Sequence, residues 1–282
     1  MRVFVCLLAM VGLVLHSVSG CAKGPEDKDI IRVKDGGRLS LSELVEDLES
    51  VQLVFVGELH NSARHHEQQL EVIRALTDAG ASVAVGLEMF RRSSQKDLDR
   101  WVSGELTEGD FEKIYYENWS SHWHLYRDIF VYAREQELPM IGLNVSPDIT
   151  GQVASQGFAS LGPEQTGELA GVTCQVHEAY MDFIQRAFGM HGHGGKQFIY
   201  FCEAQMVWDA AMGMNLMAFL SKHPESTVIV LAGSGHAWKH GIPAQVSKRS
   251  SLSYKVILPE IPGRAERGKV TIEDTDYLWL TH

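Results

Sequence analysis

The chain has 282 residues, 45% of them hydrophobic, and a formal net charge of −11 at pH 7. The hydrophobic content is ordinary for a globular protein, and the length suits one large domain or one domain with an insertion. No basic stripe offsets the negative charge, so nucleic acid is excluded as a partner.

The first twenty residues have the organisation of a lipoprotein signal peptide. Arg2 supplies a positive start, an apolar run extends from residue 3 to 15, and small residues lead up to Cys21. This run is too short to span a bilayer, which is typical of a signal peptide that is removed. We expect the thiol of Cys21 to be lipidated and to anchor the mature protein stably in a membrane.

These features predict three segments and a location. Residues 1–20 form the signal peptide, residues 21–40 the lipidated cysteine and a tether, and residues 41–282 the folded domain. The predicted location is the bacterial cell envelope, at the outer membrane and facing the periplasm.

Two cysteines, Cys174 and Cys202, remain once the signal peptide is removed and Cys21 is lipidated. They could form one disulfide in an oxidising compartment, and the sequence leaves this open. They are too few and too far apart for a zinc ribbon.

Four apolar runs predict buried strands, and each run is followed by a polar turn. Their near-continuous apolar character is typical of a parallel sheet that is covered on both faces. The runs are residues 51–56, 82–87, 139–143 and 227–231, and shorter strands are expected within 254–258 and 269–280.

Helical patterns separate these strands. Between the first two strands, Leu70, Ile73 and Leu76 recur at helical spacing, and Gly80 ends the helix. Further helices are expected over residues 122–137 and 198–222.

Alternating strands and helices predict a three-layer α/β/α domain with a mainly parallel sheet. Two regions carry helix-forming and aromatic residues but no convincing strand. We interpret them as helical insertions over one end of the sheet, at about residues 91–130 and 150–195.

Polar residues follow the predicted strands. Glu58 and His60 follow the first, Glu88 the second, Asn144 the strand at 139–143, and His236 the strand at 227–231. Ligands of open parallel sheets bind outside the carboxyl ends of the strands, so we expect these side chains to share one rim. Each residue alone could instead cap a helix or fill the core.

Histidines and glutamates at one rim can hold a divalent metal or act as general acid and base. The candidate metal ligands are His60, Glu88 and His236, and the candidate catalytic set adds Glu58. In one mechanism His60 or Glu88 activates water and His236 stabilises the developing charge. A serine hydrolase is disfavoured, because no Gly-x-Ser-x-Gly elbow is present.

An ordered set of motifs resembles the ChaN family of haem-binding lipoproteins, in a superfamily that also holds the erythromycin esterases and the TIKI/TraB proteins. No single motif is specific, but their order along most of the mature chain is. The matching positions are 56–60, 86–89, 123–127, 144, 204–212, 233–236 and 241–243.

The resemblance implies a haem-binding surface, a role in haem or iron uptake, and a dimer around paired haems in which a tyrosine oxygen ligates iron. Tyr126, beside Arg127, is then the first candidate ligand, and its alternative role is to fill the core beneath the insertion. His191 and His193, in a glycine-rich stretch, are the second candidates, and their alternative is a solvated loop.

Two functions therefore compete. The resemblance favours a non-catalytic, membrane-anchored haem-binding protein that could form a homodimer. The alternative is a hydrolase that depends on a metal or on the histidines and glutamates of the rim.

Overall fold

The computed structural model describes residues 28–120, 122–169, 172–176, 178–188 and 195–281. The strands are β1 (Ile30–Arg32), β2 (Arg38–Leu39), β3 (Leu53–Glu58), β4 (Val83–Arg91), β5 (Met140–Asn144), β6 (Thr227–Gly233), β7 (Tyr254–Pro259) and β8 (Tyr277–Trp279). The helices are α1 (Leu41–Leu48), α2 (Ala63–Asp78), α3 (Gln95–Val102), α4 (Glu108–Asn118), α5 (Trp123–Glu135), α6 (Pro147–Gln156), α7 (Pro163–Glu168), α8 (Glu178–Phe188), α9 (Lys196–Leu220), α10 (Ser234–Ala237) and α11 (Ile242–Ser247). Short 3-10 helices lie at Arg92–Ser94 and Phe158–Ser160.

The strands of the described ranges form one eight-stranded sheet in the order β2-β1-β8-β7-β3-β6-β4-β5. Every pair from β8 to β5 is parallel, and only β1 with β2 and β1 with β8 are antiparallel. The mainly parallel sheet predicted from the apolar runs is confirmed. In the β3–β6 pair Glu58 lies level with Gly233, which brings the carboxyl ends of the two strands together.

Helices cover both faces of the sheet and complete three layers. Alternate side chains of β3 point to opposite faces, so Val54 and Val56 pack with α1 to α5, whereas Leu53 and Phe55 pack with α8 to α11. Burial of each of these apolar side chains away from water contributes about 1.5–3 kcal/mol to the free energy of folding, before the entropy cost of ordering the chain. The predicted three-layer architecture is confirmed.

The sheet begins earlier in the chain than the sequence pattern indicated. Residues 30–39, which we assigned to the tether, form β1 and β2, and Ile30 is buried opposite Trp279 of β8. Strands of two or three residues are too short to show an apolar pattern. Conversely, within residues 269–280 only Tyr277–Trp279 is a strand, and the rest are turns and irregular segments.

Strand β4 continues past the predicted end at residue 87 and reaches Arg91, with a register shift against β5 between Leu87 and Arg91. The shift brings the carbonyl group of Arg91 so close to Gly142 that a Cβ atom there would overlap it. Glu88 lies within this irregular stretch, so its side chain leaves the regular pleat close to the carboxyl edge of the sheet.

Several expectations fall outside the described residues: the signal peptide, the lipidation of Cys21, and the histidines His191 and His193. Cys174 and Cys202 are both free thiols in this structure. Among the helices that the structure describes, none is both long enough and apolar enough to cross a membrane.

Candidate functional site

Four neighbouring strands bring the predicted rim residues to one edge of the sheet. Glu58 and Asn144 are the last residues of β3 and β5, Glu88 lies near the end of β4, and His236 lies in α10 directly after β6. Because β3, β6, β4 and β5 are adjacent, the structure brings these residues together. Their chemical roles stay predictions.

The turn after β3 is fixed by the start of α2. Ser62 caps the helix by accepting a hydrogen bond from the His65 amide at 3.4 Å, and Nδ1 of His65 accepts one from the Leu59 amide at 2.9 Å. Burial lowers the pKa of His65 to about 4, so its imidazole stays neutral and can accept this bond. These contacts fix the position of His60 at the carboxyl edge of the sheet.

The first pair of charged groups is Glu58 with His60. Nδ1 of His60 lies 2.5 Å from Oε1 of Glu58, and the hydroxyl of Tyr126 donates to the same oxygen at 2.9 Å. Oε2 of Glu58 is buried and has no hydrogen-bond partner in the described part of the chain. The side chain of His60 is 41% exposed, so it connects this buried carboxylate to solvent.

The second pair is Asp209 with His236, and it is buried. Nδ1 of His236 lies 2.7 Å from Oδ1 of Asp209, whose other oxygen accepts a hydrogen bond from Tyr180 at 3.2 Å. Nε2 of His236 faces Oε1 of Glu88 at 3.6 Å, and Oε2 of Glu88 accepts the Gly233 amide at 2.6 Å.

Gly233 lies between the two pairs, and a larger residue here would displace the ring of His60. A Cβ atom at this position would lie 2.9 Å from the ring of His60 and 3.6 Å from Oε2 of Glu88. The first glycine of the Gly-Ser-Gly-His motif therefore makes room for the imidazole of His60 beside Glu88.

The electrostatics favour charged imidazoles. Burial opposes the charge on His60, but its hydrogen bond to Glu58 and the charge of Glu88 outweigh this and raise its pKa to about 9. For His236, burial is likewise opposed by Glu88 and Asp209, and the pKa is raised. Burial raises the pKa of Asp209, although the charge of His236 acts against this rise. Both shifts favour the charged imidazole, and His60, with a pKa of about 9, is protonated at neutral pH.

A cavity of about 260 Å³ lies at this edge, and we name it the strand-end cavity. Its polar lining includes Glu58, His60, Glu88, Gln205, His236 and Arg264, and its aromatic lining is Trp119, Phe188 and Trp208. Oε1 of Gln205 is buried without a hydrogen-bond partner in the described residues. The cavity thus combines apolar walls with polar groups whose hydrogen-bonding capacity is not used.

The structure does not support the predicted divalent-metal site of His60, Glu88 and His236. Within the described ranges, no group of three or more histidine, cysteine, aspartate or glutamate side chains is arranged to hold a metal ion. Glu58 and Asp209 instead engage the two imidazoles through Nδ1, and Glu88 binds the Gly233 amide.

The predicted haem-binding residues lie in different environments. Tyr126 is fully buried in α5 with its hydroxyl donated to Glu58, which agrees with its alternative role in the core. Arg127 forms a two-pronged ion pair with Glu108 on the surface. The structure does not present Tyr126 to solvent, and its role toward haem stays a prediction, as do those of His191 and His193.

The sequence did not single out several residues that line the cavity. Trp119 lies edge-on to His60, with 5.1 Å between ring centroids, and Trp208 donates to Asn144. Phe188 ends α8 and Arg264 follows β7. The aromatic residues belong to helical patterns that also suit a core, and nothing near Arg264 in the sequence signals a site.

Fold and site together define a class: a three-layer α/β domain whose parallel strands deliver carboxylate–imidazole pairs to an aromatic-walled cavity. The chain belongs to the family described as haem-binding uptake, Tiki superfamily, ChaN, whose sequence model matches residues 44–246. This match spans both charged pairs but not Arg264.

Solved structures show the same fold. A structure of cofacial haem binding to ChaN of Campylobacter jejuni is 19% identical with a TM-score of 0.69, over 88% of this chain and 94% of that one. The type III effector HopBA1 is 16% identical with a TM-score of 0.53, over 90% of this chain and 98% of that one. Among curated proteins, no significant match was found.

Proposed function

We propose that this chain binds haem at the mouth of the strand-end cavity. The observation that carries this is the match of the haem-binding uptake family over residues 44–246, which includes Glu58, His60, Glu88 and His236. The ChaN structure with cofacial haem has the same fold and supports the same conclusion.

The chemistry of His60 fits an iron ligand. Metal-binding histidines usually donate the N–H of their other ring nitrogen to a carboxylate, which fixes the tautomer and raises the basicity of the ligating nitrogen. Nδ1 of His60 makes such a contact with Glu58, while no hydrogen bond engages its Nε2 in the described residues. Bound haem would supply a ferric centre that accepts this imidazole.

The strand-end cavity is too small to enclose a haem, so a haem would lie against its mouth. Pockets that enclose ligands of drug size measure roughly 300–1,000 Å³, whereas the strand-end cavity measures about 260 Å³. Trp119 and Phe188 at the wall offer apolar faces for a flat macrocycle. Ala187 and Phe188 also line the cavity directly before the stretch that contains His191 and His193, which we retain as alternative ligands.

The test is a haem titration of the chain from residue 22 onward, followed by absorption spectroscopy. We expect saturable binding with a shifted Soret band that His60→Ala abolishes or moves, while Tyr126→Phe leaves the band in place. His223→Ala is the matched control, since His223 is a half-exposed histidine after the far end of α9. A band that changes only in the His191→Ala, His193→Ala double variant would assign the ligand to that stretch, and no saturable binding would end the proposal.

The cellular role follows from the predicted amino terminus. The protein, anchored through a lipidated Cys21 at the outer membrane, would hold haem on the periplasmic side and serve haem or iron uptake. We include a homodimer in the proposal, with haem between two copies. Sedimentation with and without haem tests it, because a haem-linked dimer must double in mass on loading.

A hydrolase that depends on histidine and glutamate is the second candidate, and the buried carboxylate–imidazole pairs favour it. Perturbed titratable groups that converge on one cavity are typical of active sites. Because a pKa of about 9 leaves His60 protonated at neutral pH, Glu88 would act as general base toward water. His236, whose pKa is raised by Glu88 and Asp209, would stabilise the developing negative charge.

One substitution distinguishes haem binding from hydrolysis. Glu88→Gln should abolish hydrolysis of p-nitrophenyl esters if the site is catalytic, and leave saturable haem binding in place. Glu225→Gln, on the exposed turn after α9, controls for the loss of a carboxylate. Hydrolysis no faster than in buffer by the wild-type protein would exclude such an esterase.

A further inference from the structure

A second cavity opens at the same edge of the sheet, beside the strand-end cavity. It measures about 410 Å³ and lies at the ends of β4 and β5. We name it the arginine pocket, because Arg91 and Arg92 line it together with Asn144, Ser146 and Asn215. Its volume falls in the range of roughly 300–1,000 Å³ that is usual for small-molecule sites.

The two arginines are not neutralised by a carboxylate. Arg91 is held by neutral acceptors: Nε donates to the amide oxygen of Asn118 at 3.1 Å, and Nη2 to the carbonyl oxygen of Glu117 at 2.8 Å. Arg92 is exposed and forms no ion pair within the described part of the chain. One acidic side chain, Glu168, also lines the pocket, so the local charge stays positive.

Arg91 and Arg92 differ from most of the described arginines. The chain carries a net charge of −11, and most of its described arginines either pair with a carboxylate, as Arg127 does with Glu108, or stack on an aromatic ring, as Arg134 does on Trp101. Two adjacent guanidinium groups at a concave surface, neither in an ion pair within the described residues, are the arrangement that carboxylate and phosphate groups bind.

The arginine pocket shares a wall with the strand-end cavity. Trp208 lines the strand-end cavity and donates its indole N–H to Oδ1 of Asn144, which lines the arginine pocket. The amide of Asn144 in turn donates to the carbonyl oxygen of Glu88 at 2.7 Å. Trp208 and Asn144 together therefore connect the two cavities.

We propose that the arginine pocket binds a carboxylate group of a small ligand, through Arg91 and Arg92. Two sources share this chemistry. One source is a propionate of a haem that occupies the neighbouring cavity, and this version of the proposal rests on the proposed function. The other source is a free organic acid, and this version is independent of haem.

The experiment uses the full-length protein in mild detergent and two kinds of probe. The first compares haem with haem dimethyl ester, which lacks free carboxylates, and the second is succinate, measured by calorimetry. Arg92→Gln is the test variant, because Arg92 is exposed and its replacement removes no buried contact. Arg267→Gln removes the same charge from an exposed turn outside the pocket and serves as control.

Each outcome decides the proposal. If haem binds about tenfold or more tightly than its ester, and Arg92→Gln removes this difference, the carboxylate belongs to haem. If succinate binds saturably and Arg92→Gln weakens it about tenfold, the ligand is a free acid. The second result would stand even if no variant bound haem, so failure of the proposed function stays distinguishable. If Arg92→Gln matches Arg267→Gln with all probes, the proposal is overturned.

Discussion

His60 connects a buried carboxylate to solvent, and its protonation state decides what the site can do. As an imidazolium it stabilises negative charge, and only the neutral ring can ligate iron. Its pKa of about 9 therefore makes iron binding compete with a proton. Haem affinity should rise with pH from neutral to mildly alkaline conditions.

The titration of His60 is the first prediction. We expect the imidazole signals of His60 to shift with a midpoint near pH 9 in NMR spectra, and in Glu58→Gln with a midpoint below the ordinary value of about 6.5, because burial then outweighs the charge of Glu88. The folded pKa exceeds the unfolded one, so the charged form stabilises the fold fully below about pH 6.5, and this contribution disappears as pH rises through 9.

The measurement is the difference in unfolding free energy between wild type and His60→Gln, which should shrink between pH 6.5 and 9.5. His223→Gln, at an exposed position, is the control. A midpoint near pH 6.5 in the wild-type protein would contradict the strong coupling of His60 to Glu58.

At the scale of single residues, part of the site can be predicted from the sequence. Glu58, Glu88 and His236 could be predicted because each follows an apolar strand. Asp209 lies on α9, where a buried carboxylate needs a partner such as a rim histidine or Arg127, but the helical spacing does not show that this partner is His236. The burial of Tyr126 was likewise invisible, since an aromatic residue at helical spacing suits both a core and a ligand.

At the scale of elements, the edge between β4 and β5 holds the arginine pocket and part of the site in place. The register shift before Arg91 places its carbonyl group against Gly142, so this glycine is required by contact and not by an unusual backbone conformation. A larger residue at 142 must push the two strands apart.

Gly142→Ala should therefore destabilise the protein by about 1–3 kcal/mol, the usual cost of overpacking a filled core. Gly151→Ala is the matched control: it lies within α6, and a Cβ atom there meets nothing within 4 Å. Gly151→Ala should stabilise by roughly 0.5–1 kcal/mol, because alanine suits a helix interior better. Urea unfolding measures both, and equal stability of the two variants would refute the strand contact.

The long elements could be predicted and the short ones could not. The central strands and α9 follow from apolar runs and helical spacing, because buried strands and helices need continuous apolar faces. Strands β1 and β2 depend on pairing with β8, which is far away in the sequence, so local pattern carries no information about them.

At the scale of the whole molecule, the predicted lipid anchor decides where haem would be held. Cys21→Ser removes the thiol that lipidation requires, and the protein should then leave the membrane fraction. Fractionation followed by immunoblotting measures this. Ala22→Ser, which keeps the thiol, should stay with the membranes, and a Cys21→Ser variant that also stays there would contradict lipid anchoring.

The most direct test of haem binding at the strand-end cavity is an experimental structure of the haem-loaded protein. We expect the iron on the side of His60, with the macrocycle against Trp119 and Phe188 at the carboxyl edge of the sheet. Haem bound at the amino edge of the sheet, or at a surface that leaves His60 and Trp119 free, would contradict the proposal.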